Sequence, residues 1–142
     1  MLENATIAWE YFDDLVFVAH RPGALVASDF DAYLDDMLAR AELKSVVVRG
    51  SEGAPNPNQR ERIHRWLEQN NRRGAVLTDS VLTRGGVTAL RWFGLPIRAF
   101  SIGQLQAALT FVGVKASKLE HAQARLQRVI VAADTLARAS VA

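Results

Sequence analysis

Cysteine is absent from this chain of 142 residues. That excludes disulfides, thiolate metal sites and a cysteine nucleophile, and it suits a reducing compartment. Glycine and proline are sparse, at 9 and 4, against 49% hydrophobic and 23% charged residues. Such a composition excludes collagen-like, low-complexity and disordered chains and supplies enough apolar surface for one domain core. No apolar run approaches the ~18 residues that a membrane span needs. The opening MLENATIAWEYFDD carries acids where a secretory signal carries positive charge. A cytoplasmic globular protein is the expectation.

The net charge of +2 conceals a strong asymmetry along the chain. Residues 1–43 carry nine acids against Arg21 and Arg40, a net of −7, whereas residues 44–142 carry 15 bases and 6 acids, a net of +9. Five arginines (Arg60, Arg62, Arg65, Arg72 and Arg73) fall on or just after one predicted helix, but Glu61 and Glu68 interrupt them. The spacing wraps them around that helix instead of collecting them into a phosphate-tracking stripe, so no nucleic-acid partner is expected. Asp35, Asp36 and their acidic neighbours on the first helix are the natural counterpart to Arg60, Arg62 and Arg65, within one molecule or between copies.

Periodicity orders the elements. TIAWEY places Ile7, Trp9 and Tyr11 on one face, and LVFVA follows after Phe12-Asp13-Asp14, which predicts an antiparallel hairpin. Ser28 as N-cap, with Asp31 three residues on, predicts a helix carrying Phe30, Tyr33, Leu34, Met37, Leu38 and Ala41 inward. Val46–Val48 is unalternated, as in a strand buried on both faces. Asn56-Pro57 predicts the start of a second helix and Asp79-Ser80 that of a third. Gly85-Gly86 implies either that the third helix starts near residue 84 or that another backbone packs closely against it. IRAF is a last short strand, and Ser101-Ile-Gly-Gln104 predicts a capping box before a fourth helix. The order β-β-α-β-α-β-α-β-α-α predicts an α/β fold with a mixed, mostly parallel sheet of about five strands. Residues 1–113 form the domain in this reading, and residues 114–142 a separate long amphipathic helix.

With these elements, the segments VVVRG, GAVLTDS and TALRWFGLPIRAFSIGQLQAALTFVG resemble a STAS-like domain over residues 5–113, in particular the branch related to the sporulation anti-anti-sigma factor. The resemblance implies a bacterial, non-enzymatic regulatory or signalling module that binds a protein partner, in some members a kinase that phosphorylates a serine at the start of the second helix. By position that serine is Ser51, although the chain has Gly50-Ser51-Glu52-Gly53 there and lacks the usual Asp-Ser-Ser/Thr-Gly string. Ser80 follows an aspartate but sits after the next strand. Both serines stand as phospho-acceptor positions, against plainer readings as a loop serine and a helix N-cap.

Catalysis is not expected, and neither a metal nor a cofactor is. His20, His64 and His121 are scattered, and Glu61-x-x-His64 supplies two ligands where catalytic metal sites use three or more. There is no Gly-x-Ser-x-Gly elbow, no Gly-Lys-Ser/Thr and no Gly-x-Gly-x-x-Gly. The loop GSEGAPNPN, with Asp79-Ser80 and Phe100-Ser101, belongs to the strand C-terminal edge where open α/β sheets bind their ligands.

The last helix spaces Leu119, Ala122, Leu126, Val129, Ala133 and Leu136 at 3 and 4, widened by Ile130. This stripe either lies on an exposed surface of its own domain or pairs with a second copy or a partner; in the second reading Leu119, Leu126, Val129, Ile130 and Leu136 are the contact residues of a coiled-coil homo-oligomer. The expected function is therefore a protein-interaction module that assembles through this helix and the strand-edge loops. The alternative is an apolar, lipid-like ligand binder resembling the CRAL-TRIO lobe, with Trp92, Phe93, Phe100 and Phe111 lining a pocket. A third class is an enzyme acting on a small anion at Gly50–Asn58.

Overall fold

A computed structural model describes residues 1–92 and 94–141. The chain runs β1 (Leu2–Glu3), β2 (Ile7–Phe12), β3 (Leu15–His20), α1 (Ala27–Leu38), β4 (Ser45–Arg49), α2 (Pro57–Glu68), β5 (Arg73–Leu77), α3 (Val81–Trp92), β6 (Ile97–Phe100), α4 (Leu105–Phe111) and α5 (Leu119–Val141). The six strands lie in sequence order. β1, β2 and β3 are antiparallel, and β3 to β6 are parallel. Beyond the expected five strands there is only the two-residue β1, which pairs Leu2 with Trp9.

A parallel sheet that grows in one direction through right-handed crossovers places every crossover helix on the same face. Here α1, α2 and α3 cover that face: Phe30, Tyr33, Leu34, Met37, Trp66, Leu67 and Val87 pack on Ile7, Trp9, Val16, Val18, Val76 and Ile97. The opposite face bears Ala8, Phe12, Phe17, Ala19, Val47, Ala75, Leu77 and Phe100, and it must be covered by whatever follows β6. Leu105, Ala108 and Leu109 of α4 cover part of it, and Ala122, Leu126, Val129, Ile130 and Ala133 of α5 cover the rest. The result is a three-layer α/β/α sandwich.

The separate C-terminal helix is therefore corrected. Leu126 and Val129 are wholly buried, Ile130 is buried, and Leu119 and Leu136 are packed against the same core. The apolar stripe is taken up inside the molecule because the second face of the sheet has no other cover, and no boundary divides the core at residue 113. Arg125 and Arg128 add an electrostatic tie between α5 and the sheet. Both reach Glu10 of β2, Arg125 Nε at 2.9 Å, beneath the flank of α5. Arg49 Nη2, buried at the end of β4, ties Asp134 of α5 at 2.9 Å and donates to the His20 carbonyl at 2.6 Å.

Three local expectations change. The N-cap of α1 is Val26, without a side-chain hydrogen bond, and not Ser28. That end is held from the other side, where Thr6 Oγ1 donates to Asp29 Oδ2 at 2.8 Å and Asn4 Nδ2 donates to the Asp29 carbonyl at 3.0 Å. The box expected at residues 101–104 does not cap α4, whose N-cap is Gln104 without a side-chain capping bond: Gln104 Oε1 accepts from the Ser101 amide at 2.9 Å in the turn before the helix, while Ser101 Oγ accepts from Arg84. Neither reading of Gly85-Gly86 holds, because α3 begins at Val81 and a Cβ at either glycine meets open space. Asn56 and Gln59, by contrast, complete a reciprocal capping box on α2 with Pro57 in its first turn.

Candidate functional site

The loops after β4, β5 and β6 gather at one end of the sheet, with the start of α3 between the last two. Their polar groups are largely spent on one another. Ser80 Oγ accepts from the Thr83 amide at 3.3 Å and caps α3, and the Ser80 amide donates to Thr78 Oγ1 at 3.1 Å. Arg84 Nη2 donates to Ser101 Oγ at 2.8 Å, and the Ile102 amide donates to Asp79 Oδ1 at 3.3 Å, which links the β5 and β6 exits. Between these bonds stand apolar side chains facing water. Val81 is 83% exposed, Leu82 88% and Ile102 41%. Val81 and Leu82 are adjacent and almost fully solvated at the start of α3, and Ile102 stands in the β6 exit that its bond to Asp79 ties to the same edge.

Ser51 lies in the loop after β4, half-buried, with Oγ at 3.4 Å from the Gly53 carbonyl. It is not at the start of α2, whose cap is Asn56. Gly53 packs against Leu25, where an added Cβ would stand 3.0 Å from the backbone nitrogen. The Glu52 amide also bonds the Gly23 carbonyl at 3.0 Å, so this loop is sewn to the α1 approach.

The acidic and basic helices meet within one molecule. Arg62 Nη2 lies 2.6 Å from Asp35 Oδ1, and Arg62 Nη1 lies 3.9 Å from Asp31 Oδ1. Arg65 is turned to Glu61 at 2.6 Å. Asp36 does not face α2: it accepts from Trp9 Nε1 at 3.0 Å and from the Tyr11 hydroxyl at 2.5 Å. The Tyr11 hydrogen bond, with that from Trp9 and the charge of Arg40, outweighs burial and holds the Asp36 carboxyl below its ordinary range. Burial, reinforced by Asp36, pushes Tyr11 up to about 12. Burial also raises the Glu10 carboxyl, but the Arg125 and Arg128 guanidiniums outweigh it and the net displacement is downward. Sequence periodicity gave no sign of this buried Glu10 anchor, because its partners lie 115 and 118 residues away.

Among solved structures the chain is similar to an uncharacterised protein of the DUF3478 family with a SpoIIAA-like fold from Shewanella loihica PV-4. The two share 17% identity over 79% of this chain and 98% of that one, with a TM-score of 0.46. No protein-family model and no curated protein matches the chain.

Inside the layer formed by α1, α2 and α3 lies a cavity of about 480 Å³. Its walls include Phe30, Leu34 and Met37 of α1, Ile63 and Trp66 of α2, Val87 and Leu90 of α3, and Val18, Val48 and Val76 of the sheet. Arg60, His64 and the loop Gly50–Pro55 border it. Of the aromatic residues proposed from sequence to line a pocket, Phe100 and Phe111 do not. Phe100 and Phe111 pack together on the opposite face with ring centroids 5.8 Å apart. The Trp92 side chain and Phe93 lie outside the described residues. Among the described residues no group of three or more His, Asp or Glu is placed to hold a metal, and no helix is long and apolar enough to cross a membrane.

Proposed function

We propose that this chain is a non-enzymatic, STAS-like interaction module that docks a protein partner on its strand-edge surface. The observation that supports the reading is the exposure of Val81 and Leu82 at the start of α3, with Ile102 at the same sheet edge. Burying a leucine or valine side chain of this kind contributes about 1.5–3 kcal/mol, so three together are a sufficient centre for an interface whose rim is polar. The partner therefore offers an apolar surface of its own. Assembly through α5 is withdrawn from the proposal, because its stripe is buried. The attraction between the Asp-rich and Arg-rich helices is likewise met within the molecule by Arg62 and Asp35.

Affinity capture from the native cell tests the reading when it is run with wild type and with the double substitution Val81→Glu, Leu82→Glu in parallel. Both side chains are exposed, so the variant retains its circular dichroism spectrum and unfolding midpoint. A protein held by wild type and lost by the variant supports the proposal. Identical captured sets refute it.

A further inference from the structure

We propose that the cavity between α1, α2, α3 and the sheet binds one uncharged, predominantly apolar molecule, of the chemical class of a medium-chain alcohol or ester. This goes beyond partner docking and does not depend on it.

Protein interiors pack to crystal-like density, and voids larger than a water molecule are few. A space of about 480 Å³ is of another kind, within the range that small-molecule sites occupy. Its walls are almost wholly hydrocarbon and aromatic. Dry cavities lined in this way take up apolar molecules in preference to water. The opposite face of the same sheet is filled by α4 and α5, so the fold is able to close such a space and on this face does not.

Two buried polar residues in the lining add no charge to it. Trp66 is 5% exposed, and its indole Nε1–H has no accessible surface on which a ligand could bond it. His20 is also 5% exposed. Burial, with the nearby Arg49 charge, holds its imidazole at a pKa of about 4, so it is neutral at ordinary pH and offers no counter-charge. The charged lining residues Glu52 and Arg60 are exposed and stand at the mouth with Leu82. A charged group carried into the interior would lose its hydration without a partner. On the α3 wall, Gly86 lines the cavity and open space lies where its Cβ would stand.

The intact chain is titrated with the uncharged fluorophore N-phenyl-1-naphthylamine, followed by competition with 1-decanol and with decanoate at pH 8. Saturable binding at one site is expected, with displacement by decanol at concentrations at least tenfold lower than by decanoate. Gly86→Phe fills part of the space and is expected to weaken fluorophore binding at least tenfold. Should that variant misfold, the wild-type indole N–H resonances report directly: decanol is expected to shift that of Trp66, identified by its loss in Trp66→Phe. Absence of saturable binding, displacement by decanoate as effective as by decanol, or a folded Gly86→Phe that binds like wild type would overturn the proposal. So would an unmoved Trp66 indole resonance at saturating decanol.

Discussion

Burial of His20 makes the folded state sensitive to acid between pH 6.5 and about pH 4. It ends β3, is 5% exposed, and lies against Phe30 with ring centroids 5.3 Å apart. Burial first, and the charge of Arg49 second, lower its pKa from 6.5 to about 4. As pH falls through 6.5 the unfolded chain takes up a proton at this position and the folded chain does not, so the unfolded state gains. The loss of stability is complete once the pH reaches the folded value. At about 1.4 kcal/mol per pH unit, the displacement corresponds to roughly 3 kcal/mol lost between pH 6.5 and pH 4. Glu10 and Asp36 have carboxyls displaced downward from 4.5 and 3.8. Their stabilisation is present above those values and is lost as pH falls through them towards the folded pKa values, so Glu10 overlaps the histidine window only at its acid end, below pH 4.5. Urea unfolding at intervals from pH 4 to pH 7.5 for wild type and His20→Gln measures the effect. Wild-type stability is expected to decline by about 3 kcal/mol across the window, and most of that slope is expected to vanish in the variant, whatever its absolute stability. Equal slopes in the two proteins would refute the assignment of a neutral, buried His20.

Three further outcomes follow from the packing and are read by the same unfolding assay at pH 7. Glu10→Gln removes the charge beneath Arg125 and Arg128 and is expected to cost about 2 kcal/mol, at the low end for a buried ion pair because both arginines are partly solvated. Leu126→Ala empties a fully buried position between α5 and the sheet and is expected to cost about 3 kcal/mol. Gly85→Ala is expected to stabilise by about 1 kcal/mol, because the glycine is interior to α3 and its missing Cβ faces open space; a destabilised variant would mean that α3 packs differently.

The order of elements was legible because each carries its own period. Ile7, Trp9 and Tyr11 alternate, and Phe30, Tyr33, Leu34 and Met37 recur at helical spacing; both sets face the same core. The Asn56-Pro57 start of α2 was equally readable, since the cap and its partner Gln59 are three residues apart. What escaped was non-local. Ser28 has the right chemistry for a cap, but Asn4 and Thr6, more than twenty residues away, hold that helix end through Asp29. Glu10 looked like the polar phase of an edge strand, and only its distant arginines explain its burial. The destination of α5 was implicit in the topology. Crossover helices confined to one face leave the other uncovered, and the stripe of Leu126 and Val129 is the remaining apolar surface that covers it. That the loops after β4, β5 and β6 share one edge of the sheet was legible from the order of strands and helices. That Val81 and Leu82 face water there was not, because an apolar pair at a helix start reads equally as core. The cavity was beyond reach, since its existence depends on how far apart three helices stand.

The account rests on α5 being part of the core, which leaves the strand edge and not the last helix as the apolar surface open to a partner. Native-state hydrogen exchange on the intact chain tests this most directly. The amides of residues 122–133 are predicted to exchange only through global opening, in the same slow class as those of β3 and β4, while the first turn of α3 around Val81 and Leu82 exchanges much faster. Exchange of residues 122–133 through an opening well below the global unfolding free energy, with β3 and β4 still protected, would contradict it.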